Sequence, residues 1–471
     1  MNNSISHIQQ QSTEAFRDRI ATVDEFGKRK WIFAYQPKGI FYNIRTWLSY
    51  IYFIIFFGLP FVQWNGHPLF LFNIPQAKFI IFGKIFWPQD FFIFGITMVT
   101  FVFFIILFTA VFGRLFCGWA CPQTNFMEMM FRKIEYFIIG DAPAQKQLQL
   151  APLTLHKIFK LTLKHITFFI LSFIIANFFL AYIIGIEALQ KIITEPIEEH
   201  IAGFSSIILF SGIFYAVYAF FREQACTVVC PYGRLQSVLL DKNSMIVAYD
   251  YKRGEPRGID KTHTQQFGDC IDCHNCVKVC PTGIDIRNGI QMECVGCTAC
   301  IDACNSVMDK IGKPKGLIRY ASENSIANGA SLQYTTRMKL YTALCAVVLT
   351  ILSFLLMSRK DIDATIMRTP GILFQERGKD SISNLYNIKI ANKTMQQVPL
   401  LVKLENSNGT VEIIGKSYIN VEKEGQGSGS FFVVLPNTAI LQRKTEIQLG
   451  LYNNESKITT IKTNFLGPVS N

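Results

Sequence analysis

Cys270-Ile-Asp-Cys273-His-Asn-Cys276-Val-Lys-Val-Cys280-Pro281 and Cys294-Val-Gly-Cys297-Thr-Ala-Cys300-Ile-Asp-Ala-Cys304 are the stretches on which the reading of this chain turns. Both space their cysteines Cys-x-x-Cys-x-x-Cys-x-x-x-Cys, the bacterial ferredoxin pattern, here written twice. Three thiolates on one tight loop can grip three corners of a cubane, and the fourth, a helical turn further on, points toward a second one. Carried over from two-cluster ferredoxins, one [4Fe–4S] cluster takes Cys270, Cys273, Cys276 and Cys304. The other takes Cys294, Cys297, Cys300 and Cys280. Paired Cys-x-x-Cys also binds zinc, but eight cysteines in doubled register favour iron and sulfide. The second run ends Cys304-Asn305 where the first has Cys-Pro, which alters a turn and removes no ligand. His274 reads as an exposed loop residue, because four thiolates already complete the set.

Working outward, twelve of the thirteen cysteines fall into four short motifs. Such clustering speaks for metal or redox chemistry in a reducing compartment and against a disulfide framework. The other two motifs are Cys117-Gly-Trp-Ala-Cys121-Pro122 and Cys226-Thr-Val-Val-Cys230-Pro231. Each follows an arginine (Arg114, Arg222) and precedes an amphipathic segment, Gln123–Ile138 or Tyr232–Leu240. Residues four apart share a helix face, and proline favours the first helical position. Each pair therefore belongs where a membrane helix ends and a surface helix begins. If the two helices pack together, all four thiols converge. Such a site suits a soft ion such as Cu(I), a further iron–sulfur cluster, or a dithiol/disulfide pair. Simple packing of small thiols at helix ends is the plainer alternative, and the duplication argues against it.

The rest of the chain is apolar enough to hold these motifs at a bilayer. Of the 471 residues, 50% are hydrophobic and 42 are Phe. Five stretches approach the roughly 20 residues a helix needs to cross: Thr46–Trp64, Phe91–Phe112, Ile166–Ile186, Ile201–Phe221 and Leu340–Met357. The first lies too far in for a cleaved signal peptide and is read as a retained span. Residues 1–46 carry seven Lys or Arg, and Gly113–His165 another seven. Asn65–Asp90 carries two, and Glu187–His200 one among four glutamates. The positive-inside bias then makes the N-terminus and the cluster segment cytoplasmic, with the tail after Arg359 on the far side. The net charge of +12 is explained by these flanks and not by nucleic acid. Gly371–Asn471 alternates short β-type runs (Leu385–Ile390, Pro399–Leu404, Ser430–Leu435, Thr445–Leu451) with turn-forming stretches at Asn406-Ser-Asn-Gly and Glu424-Gly-Gln-Gly-Ser-Gly. Some seven strands in about a hundred residues fit an immunoglobulin-like sandwich.

The expected architecture is multi-domain. A cytoplasmic segment (1–45) leads into a four-helix membrane domain with two CxxxCP motifs (46–240). A ferredoxin-type domain (241–337), a fifth transmembrane helix (338–358) and a periplasmic sandwich (359–471) follow. Met127, Met129 and Met130 read as a buried or membrane-facing stripe and not as copper ligands. His67, His156, His165 and His200 are given no ligand role, and Cys345 reads as a packing residue.

Gly113-Arg-Leu-Phe-Cys-Gly-Trp-Ala-Cys-Pro122, the second Cys-x-x-x-Cys-Pro, the two ferredoxin runs, the single span after them and the β-rich tail together resemble the CcoG/FixG/RdxA family, accessory proteins of high-affinity cytochrome c oxidases. Membrane ferredoxins of nitrate and nitrous oxide respiration share the Cys-Pro pairs, but the tail favours the oxidase group. The resemblance implies a multi-pass protein of the bacterial inner membrane that reduces Cu(II), its substrate, to Cu(I). Copper chaperones and oxidase assembly factors would be its partners. Cys117, Cys121, Cys226 and Cys230 are the expected catalytic and copper-binding residues, since thiolates favour Cu(I). A quinol-linked relay to a respiratory enzyme and a non-catalytic assembly scaffold stand as alternatives. The residues name no electron donor, and they leave a homodimer open.

Overall fold

The structure, a computed structural model, describes residues 21–468 apart from 24–25, 27, 65, 76–77, 83, 87–90, 260–266, 330–333, 360, 372, 379, 395, 416–417, 424, 441 and 454–455. It divides into two compact units, Met1–Leu71 with Ile96–Thr350 and Phe72–Gly95 with Ile351–Asn471.

Among the described residues, five helices are long and apolar enough to cross a membrane: Ile40–Phe61, Phe92–Phe112, Leu155–Ile184, Ile201–Phe221 and Thr336–Met357. Only 6% of the apolar window of the fifth is buried within the protein, against 39% for the third. A helix that leaves most of its apolar surface uncovered by protein is at home in lipid. Three of these helices begin earlier than their apolar runs, the fifth at Thr336 and not at Leu340. Leu155–Ile184 starts where the Thr154 hydroxyl accepts from Lys157 N–H at 3.3 Å, a side-chain cap that satisfies an orphan donor. The first span starts at Ile40, where the Asp302 carboxylate accepts from Phe41 N–H at 3.2 Å and from Tyr42 N–H at 2.8 Å. An anion at a helix N-terminus complements the macrodipole, and here it also fastens the cluster domain to the first span.

The cluster domain is small. Strands Ile246–Tyr249 and Ile318–Ala321 pair antiparallel and lie beside helices Asn275–Lys278 and Ala299–Lys310. Val247, Tyr249, Ile301, Met308, Leu317 and Ile318 form a common core with the cysteines.

The second unit contains two antiparallel sheets. One orders Thr410–Ile413, Gln426–Pro436, Ser381–Asn392 and Ile362–Arg368, with Gln375–Arg377 added along Ser381–Asn392. The other orders Ile419–Val421, Val398–Leu404, Lys444–Asn453 and Ser456–Leu466. Residues from both, including Tyr386, Leu400, Phe431, Val433, Leu449 and Phe465, are completely buried together. This is the sandwich expected from alternating runs, at about 1.5–3 kcal/mol for each large apolar side chain withdrawn from water. Two expectations fail locally. Residues 426–429, expected in a turn, belong to the strand Gln426–Pro436. Their glycines make room across the sheets, because a Cβ at Gly427 would lie 2.8 Å from Val421 and one at Gly429 2.8 Å from Ile419. The segment after the first span is not a plain loop either. Phe70–Asn73, Lys78–Ile81 and Lys84–Phe86 form a three-stranded sheet, and Phe72–Gly95 belongs with the tail unit and not with the membrane domain.

Candidate metal centres

The two ferredoxin loops repeat one backbone design. Asp272 and Gly296, the residues before the second cysteines, have φ of +52° and +69°. His274 and Thr298, the residues after them, have φ of +56° and +63°. Two left-handed residues curl each loop around its sulfurs before a short helix begins. All eight cysteines carry free thiols. Cys270, Cys273, Cys276 and Cys304 line one cavity; Cys280, Cys294, Cys297 and Cys300 line a second, with Cys276 at its edge. The fourth cysteine of each run interacts with the other run. Cys304 feels the charges of Cys270 and Cys273, and Cys300 those of Cys297, Cys294 and Cys280. The donor sets and their two cavities thus fit two [4Fe–4S] clusters with crossed ligation. Burial pushes the Cys276 and Cys297 thiols up to about 12 and those of Cys294 and Cys304 to about 11. Thiolates in so dry a site need metal to hold them. Gly296 N–H and Ala299 N–H donate to Cys294 and Cys297, the kind of contact that tunes a cluster's potential. His274 lines the first cavity as well, and its Nδ1 is engaged by Arg287 Nη2 at 2.8 Å.

The membrane-edge pairs are also built alike. Cys121 N–H donates to Phe116 C=O, and Cys230 N–H to Ala225 C=O, both at 2.9 Å. In each motif the second cysteine thus reaches back to the residue before the first. Both second cysteines are extended (ψ 127° and 111°) and are followed by proline at the first helical position. The four thiols influence one another electrostatically, although among the described residues no three of their sulfurs come within 4.8 Å of one another. Cys226 feels Cys121, Cys117 and Cys230, and Cys117 feels Cys121, Cys230 and Cys294. Burial pushes both thiols up to about 12. Cys117 Sγ donates to Gln236 Oε1 at 2.9 Å. Turns of π-helix at Phe126–Phe131, Val217–Phe221 and Ala225–Val229 flank the site. Such bulges gather at functional positions, and no sequence signal marks them.

What joins these four sulfurs to the ferredoxin set is close backbone contact. Gly118, between Cys117 and Cys121, lies against Gly296, between Cys294 and Cys297; a Cβ on Gly118 would sit 2.5 Å from Gly296 O. Arg45 crosses the seam, donating from Nε to Gly118 O at 3.0 Å and from Nη1 to Cys297 O at 2.9 Å. Buried Arg114 donates to Met292 O, to Cys294 O at 3.2 Å and to Gly233 O, tying both membrane-edge motifs to the second cluster loop. Trp119 Nε1–H donates to Tyr320 OH at 3.0 Å.

A buried ion network supports the second motif. Arg222, with φ +49°, grips Glu135 through two bonds of 2.8 and 2.9 Å, and Lys164 reaches the same carboxylate at 2.6 Å. Burial opposes the charge on Glu135, but Arg222 and Lys164 outweigh it and hold its carboxyl down at about 2. Arg132 bridges Glu128 and Glu223.

The remaining candidates separate from the centre. Met127 and Met129 are buried, and Met127 packs with Phe126, Phe131 and Tyr218. Cys345 is buried in the fifth span. His165 Nδ1 pairs with Tyr215 OH at 2.9 Å. His200 meets Glu195, and with Glu199 the two form a tight trio. His67 has no described side chain.

Paired cysteine loops beside helices of membrane-spanning length define a multi-pass, iron–sulfur electron-transfer protein of oxidoreductase type. Residues 221–323 match the family model of a 4Fe-4S dicluster domain, 94–138 that of a 4Fe-4S binding domain, and 352–468 that of an IG-like fold at the C-terminus of FixG. RdxA of Cereibacter sphaeroides is 31% identical over 82% of this chain and 84% of its own, and RdxB of the same organism 32% over 78% and 80%. Nitrogen fixation protein FixG of Rhizobium meliloti is 29% identical over 87% of each. The chain belongs to the FixG/RdxA family.

Proposed function

We propose that the chain is a cupric reductase of the cytoplasmic membrane, in which Cu(II) accepts one electron at Cys117, Cys121, Cys226 and Cys230. The observation carrying this reading is the seam at Gly118 and Gly296, where the backbone of the Cys117 motif lies against that of the Cys294 loop. When bound, a [4Fe–4S] cluster exchanges one electron at a time, and one electron is what Cu(II) requires. Four thiols in a desolvated site select Cu(I) over Cu(II), because thiolate is a soft ligand. Arg114 and Arg45, pressed on the carbonyls around the seam, keep the two sulfur sets in register. In this reading the cluster domain faces the cytoplasm and the sandwich the periplasm, following the Lys/Arg asymmetry. Cu(I) then passes to chaperones and assembly factors of a haem–copper oxidase.

The test uses anaerobic protein, chemically reduced and mixed with Cu(II) and a Cu(I)-specific chelator. Changing Cys117 and Cys121 to Ser, or Cys226 and Cys230 to Ser, should abolish most Cu(I) formation to a similar degree, with cluster iron intact. Unchanged rates in both variants would refute the site. A second reading has its own support. The 4Fe-4S binding domain match at 94–138 contains two cysteines, Cys117 and Cys121, which favours a third cluster at the same four thiols. Loss of about a third of the iron in the serine variants would select it.

A further inference from the structure

We propose that the chain oxidises a membrane quinol, bound in an apolar cleft between the start of the third span and the end of the fourth. The inference rests on the electron-transfer reading, not on copper, and supplies the donor that the sequence leaves unnamed. A cavity of about 250 Å³ is lined by Trp31, Phe33, Leu161, His165, Ala219 and Phe220 among others. It adjoins a second hollow of about 470 Å³ that shares Leu161 and His165 and includes Phe169 and Tyr215. Together they have the size of small-molecule sites, with a mainly apolar surface on one side and Glu135, Gln145, Gln149, Lys157, Lys164 and His165 on the other. Phe159, Ile166, Phe169 and Phe220 are exposed around them. They give an isoprenoid tail a path from the acyl chains, because these positions lie on helices of membrane-spanning length.

The polar groups suit a hydroquinone ring. His165 Nδ1 is engaged by Tyr215 OH, so Nε2 is the ring nitrogen left for a ligand. Phe220 stacks on the His165 ring, with centroids 6.1 Å apart, and fixes its plane. Gln145, Gln149 and Lys157 form a polar side to the cleft. The Glu135 carboxylate also lines it, but Arg222 and Lys164 hold it.

The cleft is also next to the redox site. Ala219 and Phe220 form its wall. Tyr218, the preceding residue, is buried near Cys121 and Cys226 and stacks on Phe131 at 4.3 Å. The wall of the cleft and the residue beside the membrane-edge thiols are thus consecutive on one helix. Oxidation breaks both O–H bonds of the quinol and yields quinone, two protons and two electrons. With Nδ1–H of His165 donating to Tyr215 OH, Nε2 carries the free lone pair and takes one proton, and the other goes to water at the polar side. The iron–sulfur centres that Cys270, Cys273, Cys276 and Cys304 and Cys294, Cys297, Cys300 and Cys280 would hold would supply two one-electron acceptors, matching the two electrons of one quinol.

The test takes full-length, cluster-loaded protein in lipid nanodiscs, without copper. An azido-quinone is photolysed on it and the labelled peptides are mapped. In parallel, anaerobic reduction of the clusters by a short-chain quinol is followed by their absorbance. Labelling is expected within 31–33, 157–169 or 215–220 and should be displaced by unlabelled quinone. Leu161→Trp, which fills the cleft, and His165→Gln should each slow quinol-driven cluster reduction at least tenfold, while reduction by dithionite stays normal. His165→Gln removes a proton acceptor with little change in volume, so it remains decisive if Leu161→Trp folds poorly. Labelling elsewhere, equal displacement by phospholipid alone, or quinol-driven rates unaltered in His165→Gln would each overturn the proposal. Because no copper is present, these outcomes leave the cupric reductase reading to its own experiment.

Discussion

Replacing Gly118 by alanine adds one methyl group at the seam between the membrane-edge motif and the second cluster loop. Its Cβ would lie 2.5 Å from Gly296 O, 2.7 Å from Gly296 C and 2.8 Å from Val295 O. The first contact is roughly 0.9 Å inside the 3.4 Å at which ordinary van der Waals contact begins. All three atoms are backbone, so no side chain can swing aside, and the helix Leu115–Trp119 and the loop must part. Overpacking of this kind costs about 1–3 kcal/mol. The same displacement loosens the Arg45 bonds to Gly118 O and Cys297 O. The expected phenotype is a lower unfolding temperature, with iron and cluster absorbance retained and Cu(II) reduction by the pre-reduced protein severalfold slower. Gly212→Ala, inside the helix Ile201–Ala216 with nothing within 4 Å, is the matched control; it should leave the rate unchanged without lowering stability, since alanine favours a helix interior over glycine by about 1 kcal/mol. Thermal unfolding, iron analysis and stopped-flow Cu(I)-chelator kinetics on both variants decide the matter. A Gly118→Ala protein with wild-type stability and rate would refute the contact. Equal loss of iron would mean that the seam supports the cluster itself.

Anaerobic reconstitution should give about eight iron and eight sulfide per chain from two Cys₄ cubanes, and stoichiometric zinc instead would reject the assignment. Cys280→Ser should perturb the centre of Cys294, Cys297 and Cys300, as read by EPR, more than the one holding the other cysteines of its own run. Glu135→Gln leaves Arg222 and Lys164 without their buried counter-charge and should cost about 3–5 kcal/mol. Because the folded carboxyl is depressed to about 2 from 4.5, its stabilisation is complete above pH 4.5 and fades only as pH falls toward 2. The stability difference between wild type and Glu135→Gln, measured by denaturant at pH 8 and pH 5, should therefore be the same; a collapse by pH 5 would contradict an ionised Glu135. Compartment-specific reporters fused after Gly316 and after Asn471 should report opposite sides of the membrane, and equal signals would show that the fifth helix does not cross.

The cysteine sets were legible in the sequence because a cluster loop is local: Cys270, Cys273 and Cys276 lie within seven residues. The apolar spans and the alternating runs of the tail were legible for the same reason. What escaped depends on distant parts meeting. Gly118 looks like a spacer until Gly296 is laid against it. Gly427 and Gly429 look like a turn, yet they sit mid-strand because Val421 and Ile419 need the space a side chain would take. Phe70–Asn73, Lys78–Ile81 and Lys84–Phe86 fold into strands whose order is fixed by their own pairing, with Ile80 opposite Ile85, although the runs are too short to register as alternation. His165, read alone, is a histidine near a bilayer surface; Tyr215 and Phe220, some fifty residues on, give it an orientation.

Arg114 also imposes an order in time. Its acceptors are the carbonyls of Gly233, Met292 and Cys294, lying 119, 178 and 180 residues downstream. On a growing chain made at about 5–20 residues per second, the guanidinium waits roughly 10–40 s before its last partner has been synthesised. Until then the Cys117 motif lacks the Cys294 loop as well, so the first membrane-edge motif can enter the bilayer but cannot yet be wired. Completion of the centre is thereby tied to completion of the second cluster loop, and a ribosome that stalls between them leaves no half-built centre able to pass electrons.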